Sequence, residues 1–236
     1  MISVVVPVWN EETALPATLR ALLAQEGDYE VIAVDGGSTD RTLEILAGYG
    51  FRRPSPLTAD SSRTVLVAPK GRASQMNVGA KAARGDWLMF LHADTLLPEG
   101  ALTRLNRLEA DVTVQAGGFL HRFSGDDWRL RFISFLDNFR CTRSRTIYGD
   151  QALFVRRSLF EQLGGFPQLP FLEDVRFCDR LTRVTRPLLL SPPVVTDARK
   201  FVKMGIWRSF VRVLCIILHV EFRFPYCPKV FFQDVR

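Results

Sequence analysis

Four short apolar runs in the first hundred residues each end on a polar cluster, and that repeat constrains the fold more than any other feature of the chain. ISVVVPV (2–8) ends on Asn10, Glu11 and Glu12, YEVIAV (29–34) on DGGSTD from Asp35, RTVLVA (63–68) on KGRASQ from Lys70, and DWLMFL (86–91) on HADT from His92. Runs this apolar and β-branched read as strands buried on both faces. Helical patterns lie between them: Leu15, Leu19, Leu22 and Leu23 with Pro16 tolerable in the first turn, then a helix from near Asp40 carrying Leu43 and Leu46. A small-residue helix over 73–83 stops at Gly85, and another is opened by Pro98 and Glu99. The alternation predicts an α/β fold, a mostly parallel central sheet with helices on both faces, whose ligands bind at the carboxyl ends of the strands. Four charged clusters on that one edge exceed what loops need, so the edge is the candidate site.

The second half is less regular. QAGGFLHRF and DQALFVRR read as two further strands separated by a helical region around 129–139. SLFEQLGGF reads as a short helix ending at a glycine turn, and LEDVRFCDRL as a helix with acids in its first turn. No repeat or low-complexity linker intervenes, so residues 1–200 read as one domain and 201–236 as a basic, apolar helical tail. At 236 residues and 47% hydrophobic content the chain can bury a sizeable core, and disorder is excluded.

The net charge of +6 is uneven. Residues 1–180 carry 21 basic and 22 acidic side chains (net −1), residues 181–236 carry 10 and 3 (net +7). A basic tail points to a local anionic partner such as a membrane surface, not to a nucleic-acid binder, although a solvated basic face fits equally. The start, MISVVVPVWNEE, lacks a basic n-region and breaks at Pro7, so no signal peptide is read there. Cys141, Cys178, Cys215 and Cys227 have no CxxC spacing, which predicts free buried thiols and a reducing cytoplasm.

Among the motifs, VDGGSTD lacks the G-x-G-x-x-G spacing and no Walker A sequence occurs, so dinucleotide and P-loop readings fail. Asp35 remains as an acid at a strand end, able to accept from a base N–H or a ribose hydroxyl, or to close an Asx-type turn. In HADT, Asp94 is placed to ligate a hard divalent cation on a diphosphate, with substrate oxygens and water completing the shell. His92 either assists or is a hydrogen-bonded strand-end histidine. Glu173 and Asp174 stand at a helix start, where acids are favoured in any case, and where a carboxylate kept ionised serves as a weak general base.

Taken together, VVVPVWNEE, VDGGSTD, GRASQMNVGAKAARGDWLMFLHADT, GDQALFVRRSLFEQLGGF and FLEDVRFCDRL resemble the family-two inverting glycosyltransferases with a GT-A fold, in order and spacing over about residues 2–182. The wording HAD for the commoner DAD, and DGG for DDG, is similar to a small bacterial subgroup. The resemblance implies transfer of a sugar from a nucleotide-diphosphate donor to an acceptor hydroxyl, lipid-linked or apolar, with Mg²⁺ or Mn²⁺ as cofactor. It implies that Pro7, Trp9, Glu11 and Asp35 form the base and ribose pocket, that Arg72 and Ala93 help hold the donor, and that Asp94, with His92 a further candidate, ligates the metal. Asp174 would deprotonate the acceptor. His92 and Gly36 stand where the family usually has acids.

RCTRSRTIYGDQ (140–151) reads as a loop over the donor phosphates or the acceptor, with Arg143 or Arg145 pairing an anion and Asp150, Gln151 and Glu173 beside it; a solvated basic loop is the alternative. In the tail, Arg208, Arg212, Cys215 and His219 share one narrow stripe of 205–220, too short and too charged to span a bilayer. Residues 199–220 are expected to lie on an anionic membrane surface, with Arg199, Lys200 and Lys203 towards lipid, which makes the protein cytoplasmic and peripheral on the inner face. Docking on the catalytic domain or on another copy, as a homodimer, is the competing expectation. A sugar-phosphate nucleotidylyltransferase and a non-catalytic nucleotide-sugar-binding protein are the other functional readings; against the first, no G-x-G-T-R-like loop follows the first strand.

Overall fold

The computed structural model describes residues 1–54, 62–169 and 171–221. The first strand, β1 (Ile2–Val8), is buried along its whole length and lies between β2 (Tyr29–Asp35) and β4 (Trp87–Phe90), parallel to both. Beyond β2 lies β3 (Arg63–Val67), again parallel. Each crossover carries a helix: α1 (Leu15–Leu23) with Pro16 in its first turn, α2 (Thr42–Gly48) and α3 (Arg72–Ala82). Because β2 and β3 are laid down on one side of β1 and β4 on the other, the order of strand addition reverses between β1 and β4 while all four strands stay parallel. A crevice opens there at the strands' carboxyl ends.

The sheet continues through β5 (Thr95–Leu96), β6 (Ala116–Phe123), β7 (Phe154–Arg156) and β8 (Leu188–Thr196) in the spatial order β3-β2-β1-β4-β7-β6-β8-β5. The β4–β7, β7–β6 and β8–β5 pairings are antiparallel and the β6–β8 pairing parallel, so the second half is mixed where the first is parallel. Strand β8 has no counterpart in the sequence reading, because Pro192 and Pro193 interrupt its apolar run. The β6–β8 register accommodates them by an irregularity: Phe119 pairs with Leu190, but His121 pairs with Val194.

Alternate β1 side chains feed two cores. Val4, Val6 and Val8 join α1, α2 and α4 (Ala101–Arg107) on one face, while Val5 joins α3, α6 (Arg157–Gln162) and α7 (Glu173–Leu181) on the other. Helix α3 is rich in small residues because it lies close against β1 and β2; a Cβ on Gly79 would stand 2.4 Å from Val5 Cγ1. A third, smaller cluster joins Leu130 and Ile133 of α5 (Trp128–Ser144) to Ala198 and Ile206. Through it the tail helices α8 (Arg199–Lys203) and α9 (Ile206–Glu221) dock on the body. Cys141 and Cys178 are buried and free, and Cys215 is half-buried and free; Cys227 lies outside the described residues. Among the described residues no helix is long and apolar enough to cross a membrane.

Gly79→Val should destabilise the chain by about 1–3 kcal/mol through overpacking against Val5 and Val34. Chemical denaturation should show this as a lower midpoint at unchanged slope.

Candidate active site

The crevice between β1 and β4 opens into a cavity of about 310 Å³ lined by Asn10, Glu11, Thr13, Asp94, Asp197, Arg199, Lys200 and Lys203. Glu11 arrives on the loop after β1, whose turn is fixed by Glu11 N–H donating to Thr42 Oγ1 at 2.9 Å. Asp94 arrives on the loop after β4, whose Ala93 carbonyl accepts from Thr18 Oγ1 at 2.7 Å. The two carboxylates converge on one ammonium: Lys200 Nζ is 3.5 Å from Glu11 Oε1 and 3.6 Å from Asp94 Oδ2. Burial raises the Glu11 pKa first, and the Asp94 charge adds to it, while Lys200 opposes both.

Arg72 opens α3 at the neighbouring edge, and its Nε meets Glu173 Oε1 at 2.9 Å; the Glu173 side chain is only 2% exposed. Burial alone would lower the Arg72 pKa, but the charges of Glu173, Asp174, Asp150 and Asp94 outweigh it and hold the guanidinium above its ordinary range. Asp174 takes the Gly149 N–H on Oδ2 at 2.7 Å and the Val175 N–H on Oδ1 at 2.8 Å. Two residues with left-handed backbone flank this contact, Leu172 at φ 59° and Ala152 at φ 47°. Such strain in non-glycine residues concentrates where side chains must be aimed.

The His92 ring lies under the same turn: a Cβ on Gly149 would stand 2.5 Å from it and 3.1 Å from Asp174 Oδ2, so glycine is required there. Burial and then the Arg72 charge lower the His92 pKa to about 4, with Asp94 and Asp174 acting the other way. At neutral pH the imidazole is therefore uncharged.

Further along the edge, Lys70 Nζ sits 3.2 Å from the centre of the Trp9 ring. Pro7 is buried within β1, opposite Val34 of β2. Asp35, 2% exposed, spends both oxygens on its own turn, accepting from the Gly37 and Ser38 N–H groups and from Ser38 Oγ. Gln75 joins β1 to β2 by donating to the Val8 and Val34 carbonyls at 2.7 and 2.8 Å.

The basic segment differs from its reading as a loop. Helix α5 runs to Ser144, so Arg143 stands exposed on its last turn, and Arg145 caps the helix with Nη1 donating to the Pro187 carbonyl at 3.3 Å. Neither lines the cavity. Gln151 is fully buried and committed locally, accepting the Tyr148 N–H and donating to the Phe119 carbonyl. Asp150 faces the buried His121, whose Nε2 is 3.6 Å away, with Asp137 at 3.9 Å on the ring's other side. Burial foremost raises the Asp150 pKa, and His121 counters it.

Two participants were not read as site residues. Lys200 was expected to face lipid, but β8 delivers it inward, and an unrecognised strand left no signal for that. His121 shares a strand face with the core residue Phe119, and a polar residue on that face was the available sign.

A glycosyl transferase family 2 sequence model matches residues 3–164, which contain the ends of β1, β2 and β4 and the Gly149 turn. The chain belongs to glycosyl transferase family 2. This family 2 chain is 30% identical over 177 residues to a PGL/p-HBAD biosynthesis glycosyltransferase of Mycobacterium tuberculosis, covering 70% of this chain and 63% of that protein. It is 32% identical over 171 residues to an undecaprenyl-phosphate 4-deoxy-4-formamido-L-arabinose transferase of Pseudomonas aeruginosa, covering 69% and 49%. The chain thus spans about half to two thirds of the length of these relatives. Its fold matches a mannosyltransferase of Pyrobaculum calidifontis solved with GDP-Man and Mn²⁺, at TM-score 0.65 and 22% identity over 99% of this chain and 68% of that one. It also matches S. aureus TarS solved with UDP-GlcNAc, at TM-score 0.63 and 19% identity over 93% and 67%. The fold is GT-A, as the resemblance implies, and it is of the α/β class that the strand–helix alternation predicts.

An imidazole harder to protonate folded than unfolded costs stability as pH falls from the ordinary histidine range towards 4. His92→Gln should therefore lose less stability than the native chain between about pH 7 and about pH 5, measured by urea denaturation at each pH.

Proposed function

We propose that the chain transfers a sugar from a nucleoside-diphosphate donor to an acceptor hydroxyl with inversion at the anomeric carbon. The observation that carries this is the meeting, at the β1–β4 reversal, of Glu11 and Asp94 on a single cation, with Arg72 and Asp174 beside them. Residues 1–200 would form the catalytic unit, whose last residue, Lys200, lies in the first turn of α8.

In this reading Trp9 and Pro7 wall the base pocket and Glu11 meets the ribose. Asp35 holds the neighbouring loop and offers its remaining acceptor capacity. Arg72, kept charged by four acids, neutralises phosphate and is itself held in place by Glu173. Asp174, fixed by two backbone N–H groups, accepts the proton of the acceptor hydroxyl as it attacks opposite the leaving diphosphate. Asp150 lies beyond the Gly149 turn on the acceptor side.

The residues fit a divalent cation, because the point between Asp94 and Glu11 already draws a positive charge. Among the described residues no cluster of three or more acidic, histidine or cysteine side chains surrounds it, so donor phosphates and water would supply the other ligands. Asp94 would hold the ion and neutral His92 is the further candidate; bound Mg²⁺ or Mn²⁺ would supply charge stabilisation for the departing diphosphate. Lys200 then has to leave the carboxylates. For the acceptor, the undecaprenyl-phosphate relative supports a lipid-linked class. Within residues 199–220 the expected contact with an anionic surface narrows to Lys203 and one side of α9, since Lys200 turns into the site and Arg212 is buried.

Asp174→Asn and Asp94→Asn should each lower turnover by about 10²–10⁴-fold, measured as nucleoside diphosphate released. Release of pyrophosphate instead would point to nucleotidyl transfer, and no stabilisation by any nucleotide sugar with Mn²⁺ in thermal unfolding would overturn donor binding. Lys200→Met should bind Mn²⁺ more tightly than the native chain in a calorimetric titration, because a competing cation is removed.

A further inference from the structure

Helix α5 buries Leu130, Ile133, Ser134 and Cys141, and its opposite face carries Trp128, Phe132, Phe135 and Phe139 at successive helical turns. Trp128, Phe135 and Phe139 are 67%, 64% and 60% exposed. Helix α9 repeats the arrangement: Ser209 and Arg212 are buried, while Trp207, Val211, Leu214 and Leu218 are exposed. This is not the orientation expected from the Arg208–Arg212 stripe, since Arg212 lies inside with its guanidinium near Met204. The two apolar stripes meet where the Trp128 and Trp207 rings pack edge to face, 6.1 Å between centres. Each runs roughly 16 Å along its helix, at 1.5 Å per residue. Among the described residues this apolar surface is uncovered, and one of that extent marks a site of interaction.

Its charges indicate what covers it. Arg131, Arg143, Lys203 and Arg208 are exposed on or beside the stripes, and among the described residues none of them is paired with an acid. Of the neighbouring acids, Asp127, Asp137 and Asp197 are taken by Arg129, Arg140 and Arg199, which leaves the exposed Asp126 against four cations. We propose that α5 and α9 form one docking surface for an anionic lipid bilayer. The tryptophan and phenylalanine rings enter at headgroup level and the four free cations meet lipid phosphates. A second copy of the chain is a poor occupant, because a twofold contact would set these cations against one another with few free acids to answer them.

The surface also lies next to the site. A groove of about 450 Å³, lined by Leu130 of α5 and Val202 of α8 among others, shares Asp197, Arg199 and Lys203 with the active-site cavity. The docking proposal stands on the surface itself and does not depend on the transfer reaction.

The test is flotation of the full chain with vesicles of phosphatidylcholine, alone or with about 30% phosphatidylglycerol. The native chain should float with the anionic vesicles and much less with the neutral ones, and the double variant Phe135→Ser/Phe139→Ser should bind about tenfold or more weakly at an unchanged unfolding midpoint. Arg131→Gln/Arg208→Gln, which leaves the aromatic rings in place, should lose the preference for anionic lipid. No flotation of the native chain, equal binding by either double variant, or a native dimer that the phenylalanine variant splits into monomers would overturn the proposal, the last by assigning the surface to a second copy.

Discussion

The Arg72–Glu173 pair joins the two halves of this molecule at the candidate site. Arg72 belongs to the third parallel crossover, from β3 to β4, and Glu173 to a helix about a hundred residues later, and nearly complete burial of the Glu173 side chain makes its partner obligatory. The pair brings α7 against the start of α3, and with α7 comes Asp174. The remaining acids then gather around the same guanidinium, so one cation offsets the mutual repulsion of Glu173, Asp174, Asp150 and Asp94.

What was legible in the sequence follows the range of the interactions involved. β1 to β4 and the helices between them could be read because each is local and punctuated by its own turn chemistry; β1, β2 and β4 are buried almost throughout, whereas β3, also read as buried on both faces, is a half-exposed edge strand. The strand-end positions of Glu11, Asp35 and Asp94 followed from the topology alone. The resemblance added the partner sequences GDQ and LED. The separate uses of their residues needed the structure: Gln151 and Asp35 are spent largely on holding their own turns, whereas Asp174 and Asp150 lie around Gly149.

The misread parts depend on contacts between distant segments. Pro192 and Pro193 hid β8, because the irregular β6–β8 register that tolerates them is a property of the pair and not of either strand. With β8 missing, Lys200 and its neighbours looked like a free basic run. Arg143 and Arg145 looked like a loop because the apolar face of α5 points outward towards its end. A helix with aromatic residues on its solvent side does not show the usual amphipathic signal.

The short connection between β8 and α8 bears on how the cation position can be vacated. Strand β8 ends at Thr196 and α8 begins at Arg199, and the Asp197 N–H is held by the Asp94 carbonyl at 2.9 Å. The backbone beneath Lys200 is therefore tied to the loop that carries Asp94, which leaves little slack for it to swing as a flap. The side chain is long and 56% exposed, so it can exchange between the carboxylates and water by torsional rotation alone. Such motion belongs to the picosecond-to-nanosecond range of exposed side chains and not to the microseconds of a moving lid. If a divalent cation binds here as proposed, its entry would be gated by a tethered charge that leaves and returns far faster than any turnover.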